Sequence, residues 1–284
     1  MNRHVPLMIT LGLLVLAVSL LAGLRQPVLR SLDQMRTEYV ALGHLNEAFL
    51  CAHSRPARRQ EAISHMDRAL ALGPSQANVV GAAAEIYVAA GAYDRALQMM
   101  SKQMNPNPYL LAQCRLHEGK VREGTQILVG IGRAASRSLE SRRSDDPLRA
   151  ATAMELNNAG YLLADAGVAL PQAQRMLETA VDVLPLDVNC VDSLGWLFYR
   201  TGDYRRAIFF LERAVRLQAS PAEPELLYHL GAAYARQGDR RRAVKMLMKA
   251  QALDPEHPEV RRELRTMRWL LPSPAMACAE SAAS

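Results

Sequence analysis

Aromatic residues and paired cysteines are both scarce in this chain. Its 284 residues include only 4 Phe and 2 Trp, and its apolar content consists mainly of Ala and Leu, which favours closely packed helices over a sheet-rich core. The four cysteines are far apart, which excludes a disulfide framework and a zinc site with paired ligands. Each is expected to be a small buried hydrophobe or a free thiol: Cys51, Cys114, Cys190 and Cys278.

Catalytic and cofactor signatures are also sparse. The seven histidines show no metal-ligand spacing, and no Ser, His and Asp grouping can be assembled, so we predict no enzyme, no metal and no cofactor. One alternative is a dinucleotide-binding turn, because Gly130-Ile131-Gly132 begins a Gly-x-Gly-x-x-Ala match after the apolar residues 127–129. The surrounding sequence shows no strand-helix-strand unit, which argues against a nucleotide-dependent protein.

The chain is basic, with a formal net charge of +6. Its arginine clusters are expected on a solvated outer surface, where they can also contact anionic lipid headgroups. RNA-binding is a weaker alternative because few aromatic residues that could stack on bases accompany these arginines, and no nucleic acid is expected as a partner. The clusters are Arg205-Arg206, Arg240-Arg241-Arg242, and Arg261-Arg262 with Arg265 and Arg268.

An uncharged apolar segment occupies residues 5–24, and as a helix it is long enough to cross a bilayer. We predict an uncleaved transmembrane anchor, with a cleaved signal peptide ending near Ala17-Val18-Ser19 as the alternative. Arg25, Arg30 and Arg36 follow the segment and favour a cytoplasmic soluble domain. A short basic start is also typical of exported, anchored domains, so both faces of the membrane remain open.

An internal repeat follows in the second half of the chain. Gly160, Gly195 and Gly231 are 35 and 36 residues apart, and each begins the same series of small and apolar positions. Within each block a helical Gly is followed, 12 or 13 residues later, by an Ala on a second helix, as closely approaching antiparallel helices require. Gly202-Asp203 and Gly238-Asp239 are expected to form the turns, with Gly ending one helix and Asp capping the next.

The pattern resembles the tetratricopeptide-repeat family, and specifically its bacterial membrane-anchored type, over residues 153–255. The resemblance implies an all-α superhelical solenoid of about six helix pairs, the first and third degenerate, with an N-terminal transmembrane helix and a C-terminal capping helix. The predicted divisions are an anchor (5–24), a helical connector (25–42), degenerate repeats (43–132), a flexible linker (133–146), repeats with the capping helix (147–271) and a disordered tail (272–284).

In the geometry of this family, the first helices of the pairs line a concave groove for a peptide or protein partner. The corresponding residues combine amide, aromatic and charged groups that suit an extended or helical peptide. Packing of the aromatic residues between neighbouring helices is the alternative for Tyr161, Trp196 and Tyr228. The predicted partner-binding groove consists of Asn157, Asn158, Tyr161, Asp165, Asn189, Asp192, Trp196, Tyr199, Arg200, Tyr228, His229 and Arg236.

The resemblance predicts a non-catalytic scaffold that recruits a protein partner at a membrane, expected to be the bacterial inner membrane. Its context would be envelope, secretion or polysaccharide-export assembly. The alternative is a cytoplasm-facing regulator of envelope biosynthesis.

Overall fold

A computed structural model describes residues 30–31, 33–54, 58–73, 77–218 and 222–268. Every regular element in these ranges is a helix, and none is a strand, so the predicted all-α class is confirmed. The helices are α1 (33–53), α2 (Arg59–Ala71), α3 (Ala77–Ala89), α4 (Tyr93–Met100), α5 (Pro108–His117), α6 (Val121–Ser141), α7 (Leu148–Ala166), α8 (Leu170–Val183), α9 (Val188–Arg200), α10 (Tyr204–Leu217), α11 (Pro224–Gln237), α12 (Arg240–Leu253) and α13 (Pro258–Arg268).

Helices α3 to α12 form five antiparallel pairs, from α3/α4 to α11/α12, as the repeat predicts, and α1 packs with α2 ahead of them. From α3 onward, each first helix contacts the first helix of the next pair. Among the described residues, α6 and α8 are the only second helices of neighbouring pairs that contact each other. Because the first helices lie closer together, the array curves with those helices on its inner, concave side.

The turns between paired helices have the predicted chemistry. Gly202 and Gly238 have φ of +83° and +93°, in the left-handed region that glycine adopts without a steric penalty. The next residue caps the second helix, because the carboxylates of Asp203 and Asp239 accept hydrogen bonds from backbone N–H groups three residues later, at 3.0 and 2.9 Å.

Glycine on each first helix allows close packing of the pair. A Cβ at Gly195 would lie 2.7 Å from Cγ of Leu211 and 3.2 Å from its backbone nitrogen. Gly160 and Gly231 are packed in the same way against Leu177 and Leu247. The predicted close approach is therefore confirmed, and it is a fully buried leucine on the second helix that occupies the space above each glycine.

The predicted linker over residues 133–146 is wrong for residues 133–141, which continue the 21-residue helix α6. Leu128, Gly132, Ala135 and Leu139 form its buried stripe, and Gly132 lies against the side chain of Met176. Most of the buried positions of α6 hold small residues. The apolar helical period is therefore hard to recognise in a segment rich in Arg and Ser. Asp146 then starts α7, because its carboxylate accepts a hydrogen bond from the backbone nitrogen of Leu148 at 2.8 Å.

This helix also excludes the dinucleotide-binding turn. Gly130 and Gly132 lie within α6, and residues 127–129 before them are helical instead of forming a strand. The turn that would place backbone N–H groups around a pyrophosphate is therefore absent from this segment.

Two other predicted boundaries differ from the structure. Helix α1 passes through residues 42 and 43 without a break, so connector and first repeat share one helix. The buried apolar residues form two clusters that meet at α5, not at 133–146, because Cys114 packs with α1–α4 whereas Ala112 packs with α6 and later helices.

At the C-terminal end, α13 covers the last pair, and Val260 and Met267 are buried there as predicted for a capping helix. The predicted anchor (5–24), the last residue of the predicted capping helix, Leu271, and the tail (272–284) lie outside the described residues. Within the described ranges, no helix has both the length and the apolar character that a bilayer crossing requires.

Candidate functional site: a polar pocket on the concave face

A pocket opens on the concave face where α7, α9 and α11 meet. It has a volume of about 370 Å³ and lies beside the N-terminal halves of α9 and α11. Three of the described residues that line it are carboxylates, and none is Lys or Arg, so the pocket favours a positively charged group. The lining residues are Asn157, Asn158, Tyr161, Val188, Asn189, Asp192, Ser193, Gln218, Glu223, Glu225 and Leu226.

Asn157 supplies a hydrogen-bond acceptor at the pocket. It projects from the middle of α7 and is only 4% exposed. Its side-chain nitrogen donates to Oδ1 of Asn158 at 3.5 Å, whereas its Oδ1 has no hydrogen-bond partner in the described part of the chain. A buried amide oxygen without a partner costs about 1–3 kcal/mol, and a ligand N–H that reached it would recover this energy.

A network of histidines and carboxylates forms one wall. Nδ1 of His229 lies 2.9 Å from Oδ1 of Asp192, and its Nε2 lies 3.2 Å from Oε1 of Glu225. Glu225 also contacts Nε2 of His257 at 2.8 Å, and His257 Nδ1 lies 3.4 Å from Glu259. The network therefore joins α9, α11 and α13.

Electrostatics keep both histidines in the network positively charged. Burial alone lowers the pKa of His229, but Asp192 and Glu225 outweigh this effect and raise the pKa to about 10. His257 is raised in the same way, by Glu225 and Glu259, to a pKa of about 9. Burial raises the pKa of Glu225, yet its bonds to the two histidines hold it well below the usual range.

An aromatic layer supports the pocket from beneath. Trp196 is 3% exposed, and its ring stacks on His229 with 4.1 Å between centroids and on Tyr199 with 4.5 Å. Its Nε1 donates to Oδ1 of Asp165 on α7 at 3.1 Å. Tyr228, also buried, lies 5.7 Å from Trp196. These rings join the first helices of successive pairs and hold the pocket wall in position.

Comparison with known families assigns the repeat. The family model described as "Tetratricopeptide repeat" matches residues 57–108, which include α2–α4, and residues 198–265, which run from the end of α9 into α13. These two segments carry tetratricopeptide repeats. Among curated proteins, none matches the chain in sequence.

Similar solved structures include tetratricopeptide-repeat proteins. One from Parabacteroides merdae ATCC 43184 is 16% identical, with a TM-score of 0.56, and the match covers 79% of this chain and 83% of that chain. YrrB, titled a TPR protein with an unusual peptide-binding site, is 18% identical over 79% of this chain and 92% of that chain, with a TM-score of 0.36. PilW, titled a widely conserved type IV pilus biogenesis factor, is 14% identical over 82% and 98%, with a TM-score of 0.45.

The twelve residues predicted to form the groove separate into three groups on the tetratricopeptide repeats. Five of them line the pocket together: Asn157, Asn158, Tyr161, Asn189 and Asp192. Trp196, Tyr228 and His229 are buried beneath it, as in the alternative in which the aromatic residues pack between neighbouring helices. The reason is that the first helices lie close enough for large rings to fill the space between them.

The remaining four predicted residues lie at the opposite ends of the first helices: Asp165, Tyr199, Arg200 and Arg236. Arg236 donates to the hydroxyl of Tyr199 at 3.3 Å and lies 3.8 Å from Glu263 on α13. This edge of the concave face therefore combines two exposed arginines with the carboxylates of Asp165 and Glu263.

Sequence reasoning missed three contributors to the site: Glu223, Glu225 and His257. Glu225 lies in the first turn of α11, one residue after Pro224, where an acidic residue is usually interpreted as a favourable interaction with the helix dipole. His257 lies in the turn before α13. His229 and His257 are 28 residues apart in the sequence, and only the packing of α13 on α11 brings both into contact with Glu225.

Proposed function

We propose that the protein is a non-catalytic scaffold that recruits a partner protein at a membrane by binding a basic peptide segment in the concave pocket. The observation that carries the proposal is the buried side-chain oxygen of Asn157, an acceptor with no partner among the described residues, in a pocket lined by three carboxylates, of which Asp192 and Glu225 also contact the buried histidines. A peptide with a Lys or Arg side chain supplies the matching charge, and its backbone N–H groups can bond the exposed amides of Asn158 and Asn189.

The pocket volume sets the size of the group that enters. About 370 Å³ accommodates one long side chain and the adjoining backbone, at the lower end of the range for ligand pockets. The wall is already ordered by the histidine network and the aromatic layer, so binding requires little rearrangement of the protein. The partner residue is therefore selected by charge and by backbone contacts, not by a large apolar cleft.

Membrane attachment is the second part of the proposal. Its support is the uncharged segment 5–24, which precedes the repeats. In this arrangement the repeats present the pocket close to the bilayer, and exposed arginines on α10 and α12 can contact anionic headgroups. Assembly of a bacterial envelope, secretion or polysaccharide-export machine at the inner membrane is the context we propose; regulation of envelope biosynthesis from the cytoplasmic face is the alternative.

Site-specific photocrosslinking in cells tests the pocket. A photoreactive amino acid replaces Asn189, which is exposed at the pocket, and a matched control replaces Asn105, which is exposed in the loop between α4 and α5. We expect a discrete crosslinked partner from position 189, joined through a segment that contains Lys or Arg, and none of this product from position 105. Equal products from both positions, or an acidic crosslinked segment, would contradict the proposal.

A further inference from the structure

Helix α1 displays a row of exposed residues that the described part of its own chain leaves uncovered. Six positions share this face: Met35, Tyr39, Leu42, Asn46, Phe49 and His53. Four of them are large and apolar, with exposures between 49% for Leu42 and 80% for Tyr39. We call this row the α1 stripe.

The α1 stripe is separate from the face that α1 packs against its own chain. Ala41, Ala48 and Cys51 form that inner face and are at most 3% exposed. Helix α1 is therefore packed against the rest of the fold, and the stripe is exposed on the opposite side of a docked helix. A soluble surface rarely leaves so many large apolar side chains together without a partner.

The spacing of the stripe identifies the kind of partner. Its positions are separated by 4, 3, 4, 3 and 4 residues, which is the heptad spacing of a coiled-coil seam over about two and a half heptads. A seam of this spacing requires a second helix with the same periodicity. The α1 helix of another copy of this chain meets that requirement at every position.

We infer that two copies of the protein pair through their α1 helices in a parallel, in-register coiled coil. Asn46 decides the orientation. In a parallel pair it faces Asn46 of the second copy, and the two amides can hydrogen-bond each other. An antiparallel pair that overlaps the same stripe faces Asn46 with Leu42, and leaves a buried amide without a partner.

Gly43 gives independent support. It lies in the interior of α1 beside the stripe, and a Cβ added there would meet nothing within 4 Å, so the fold of one chain does not need glycine at this position. Glycine in a helix interior costs about 0.5–1 kcal/mol relative to alanine. A second backbone that approaches α1 closely makes use of the missing side chain.

Helix α3 flanks the stripe on one side. Leu42, Asn46, Phe49 and His53 line a cavity of about 380 Å³ whose other side is formed by Ala82, Glu85 and Ile86 of α3, so a helix that covered the stripe would also contact α3. The proposed anchor, residues 5–24, would also present α1 of both copies in the same direction. This last support rests on the proposed membrane attachment, whereas the pairing itself depends only on the stripe and not on the concave pocket of α7, α9 and α11.

Disulfide trapping of the full chain in detergent tests the pairing. Cys51, Cys114 and Cys190 are buried, and a Cys278→Ser background removes the remaining thiol. In this background Leu42→Cys places a thiol in the seam, whereas Glu47→Cys places one on an exposed face outside it. Under mild oxidation we expect a covalent dimer from Leu42→Cys, and at least about tenfold less from Glu47→Cys.

Sedimentation equilibrium then measures the association itself. Asn46→Lys puts two like charges into the seam and should raise the dimer Kd by at least about tenfold, whereas Glu47→Lys should change it by less than about threefold. Asn46 is exposed in the single chain, so circular dichroism should show unchanged helicity for both variants. A monomer at micromolar concentrations, equal crosslinking from both cysteines, or a dimer that Asn46→Lys leaves unchanged would each overturn the inference. All three readouts are independent of partner binding at Asn189.

Discussion

Nε1 of Trp196 donates a hydrogen bond of 3.1 Å to Oδ1 of Asp165, and this bond ties the first helices of two successive repeats together. The ring lies between α7 and α11 and stacks on His229. Because the indole is buried in this position, its contribution is to the stability of the repeat array and to the shape of the pocket wall.

Replacement of Trp196 should therefore destabilise the C-terminal repeats. Trp196→Ala removes a buried ring and leaves a cavity, and we expect a loss of about 3–5 kcal/mol in the free energy of unfolding. Asp165→Asn keeps an acceptor oxygen at an exposed position and should change stability by no more than about 1 kcal/mol. Urea unfolding followed by circular dichroism measures both. A Trp196→Ala protein as stable as the wild type would show that the ring is not packed.

Two glycine-to-alanine substitutions should have opposite effects. At Gly195 the new methyl group collides with Leu211, so Gly195→Ala should destabilise the protein by about 1–3 kcal/mol. Gly130 lies exposed in α6, where an added Cβ would meet nothing within 4 Å, so Gly130→Ala should stabilise it by about 0.5–1 kcal/mol. Thermal and urea unfolding supply the comparison. Loss of stability at Gly130 would argue against the helix that replaces the predicted linker.

The histidine network should make stability depend on pH above neutrality. The folded pKa values of His257, about 9, and of His229, about 10, exceed that of a free histidine. The stabilisation is therefore complete below about pH 6.5 and is lost as the pH rises toward the folded values. We expect the free energy of unfolding to fall by at least about 1 kcal/mol between pH 6.5 and 9.

His257→Asn is the matched variant for this experiment. It removes one titrating group and retains a side chain that can donate to Glu225. Because His229 still titrates, the stability of this variant should decline with pH by roughly half as much as that of the wild type. Urea unfolding at several pH values measures the two slopes. Identical slopes would mean that His257 is not held in its charged form by Glu225.

Partner affinity should respond to charge at the pocket. Asn189→Arg introduces a positive group beside the carboxylates, so affinity for the partner captured at this position should fall at least about tenfold. The same substitution at Asn105, exposed outside the pocket, should leave affinity within about twofold. Binding measured in solution with the purified pair provides the test. Equal affinities for the two variants would place the contact elsewhere.

Membrane attachment should depend on the apolar segment 5–24. Leu14→Lys combined with Leu16→Lys adds two charges near its centre, at a cost of about 2.5–3.5 kcal/mol each for insertion. We expect the wild-type chain in the membrane fraction after alkaline extraction and the double variant in the supernatant. A wild-type chain that alkaline extraction releases would contradict the proposed anchor.

The sequence predicted the repeat architecture well because that architecture depends on local rules. Gly202-Asp203 and Gly238-Asp239 form turns because a glycine in the left-handed conformation precedes an aspartate whose carboxylate caps the next helix. The glycine and leucine positions of each helix pair also recur at a fixed interval. Residues 133–141 of helix α6 escaped prediction for a related reason. Its buried positions Gly132 and Ala135 are small, and the arginines and serines between them suggested a loop.

The candidate site was predicted only in part. Asn157, Asn158, Asn189 and Asp192 line the pocket because their positions on the first helices follow from the repeat. Whether a ring at such a position reaches solvent or fills the space below depends on the distance between neighbouring first helices. Sequence spacing does not determine that distance, and in the structure Trp196 and Tyr228 are buried.

The sequence by itself determined that this chain forms paired helices with glycine at their close contacts, because capping, helical period and side-chain size act within one repeat. Only the tertiary structure decided that Glu225 joins His229 and His257, that the side-chain oxygen of Asn157 has no partner among the described residues, and that α1 leaves a heptad stripe exposed. These features depend on which surfaces meet when the helices stack, and packing between distant segments controls that outcome.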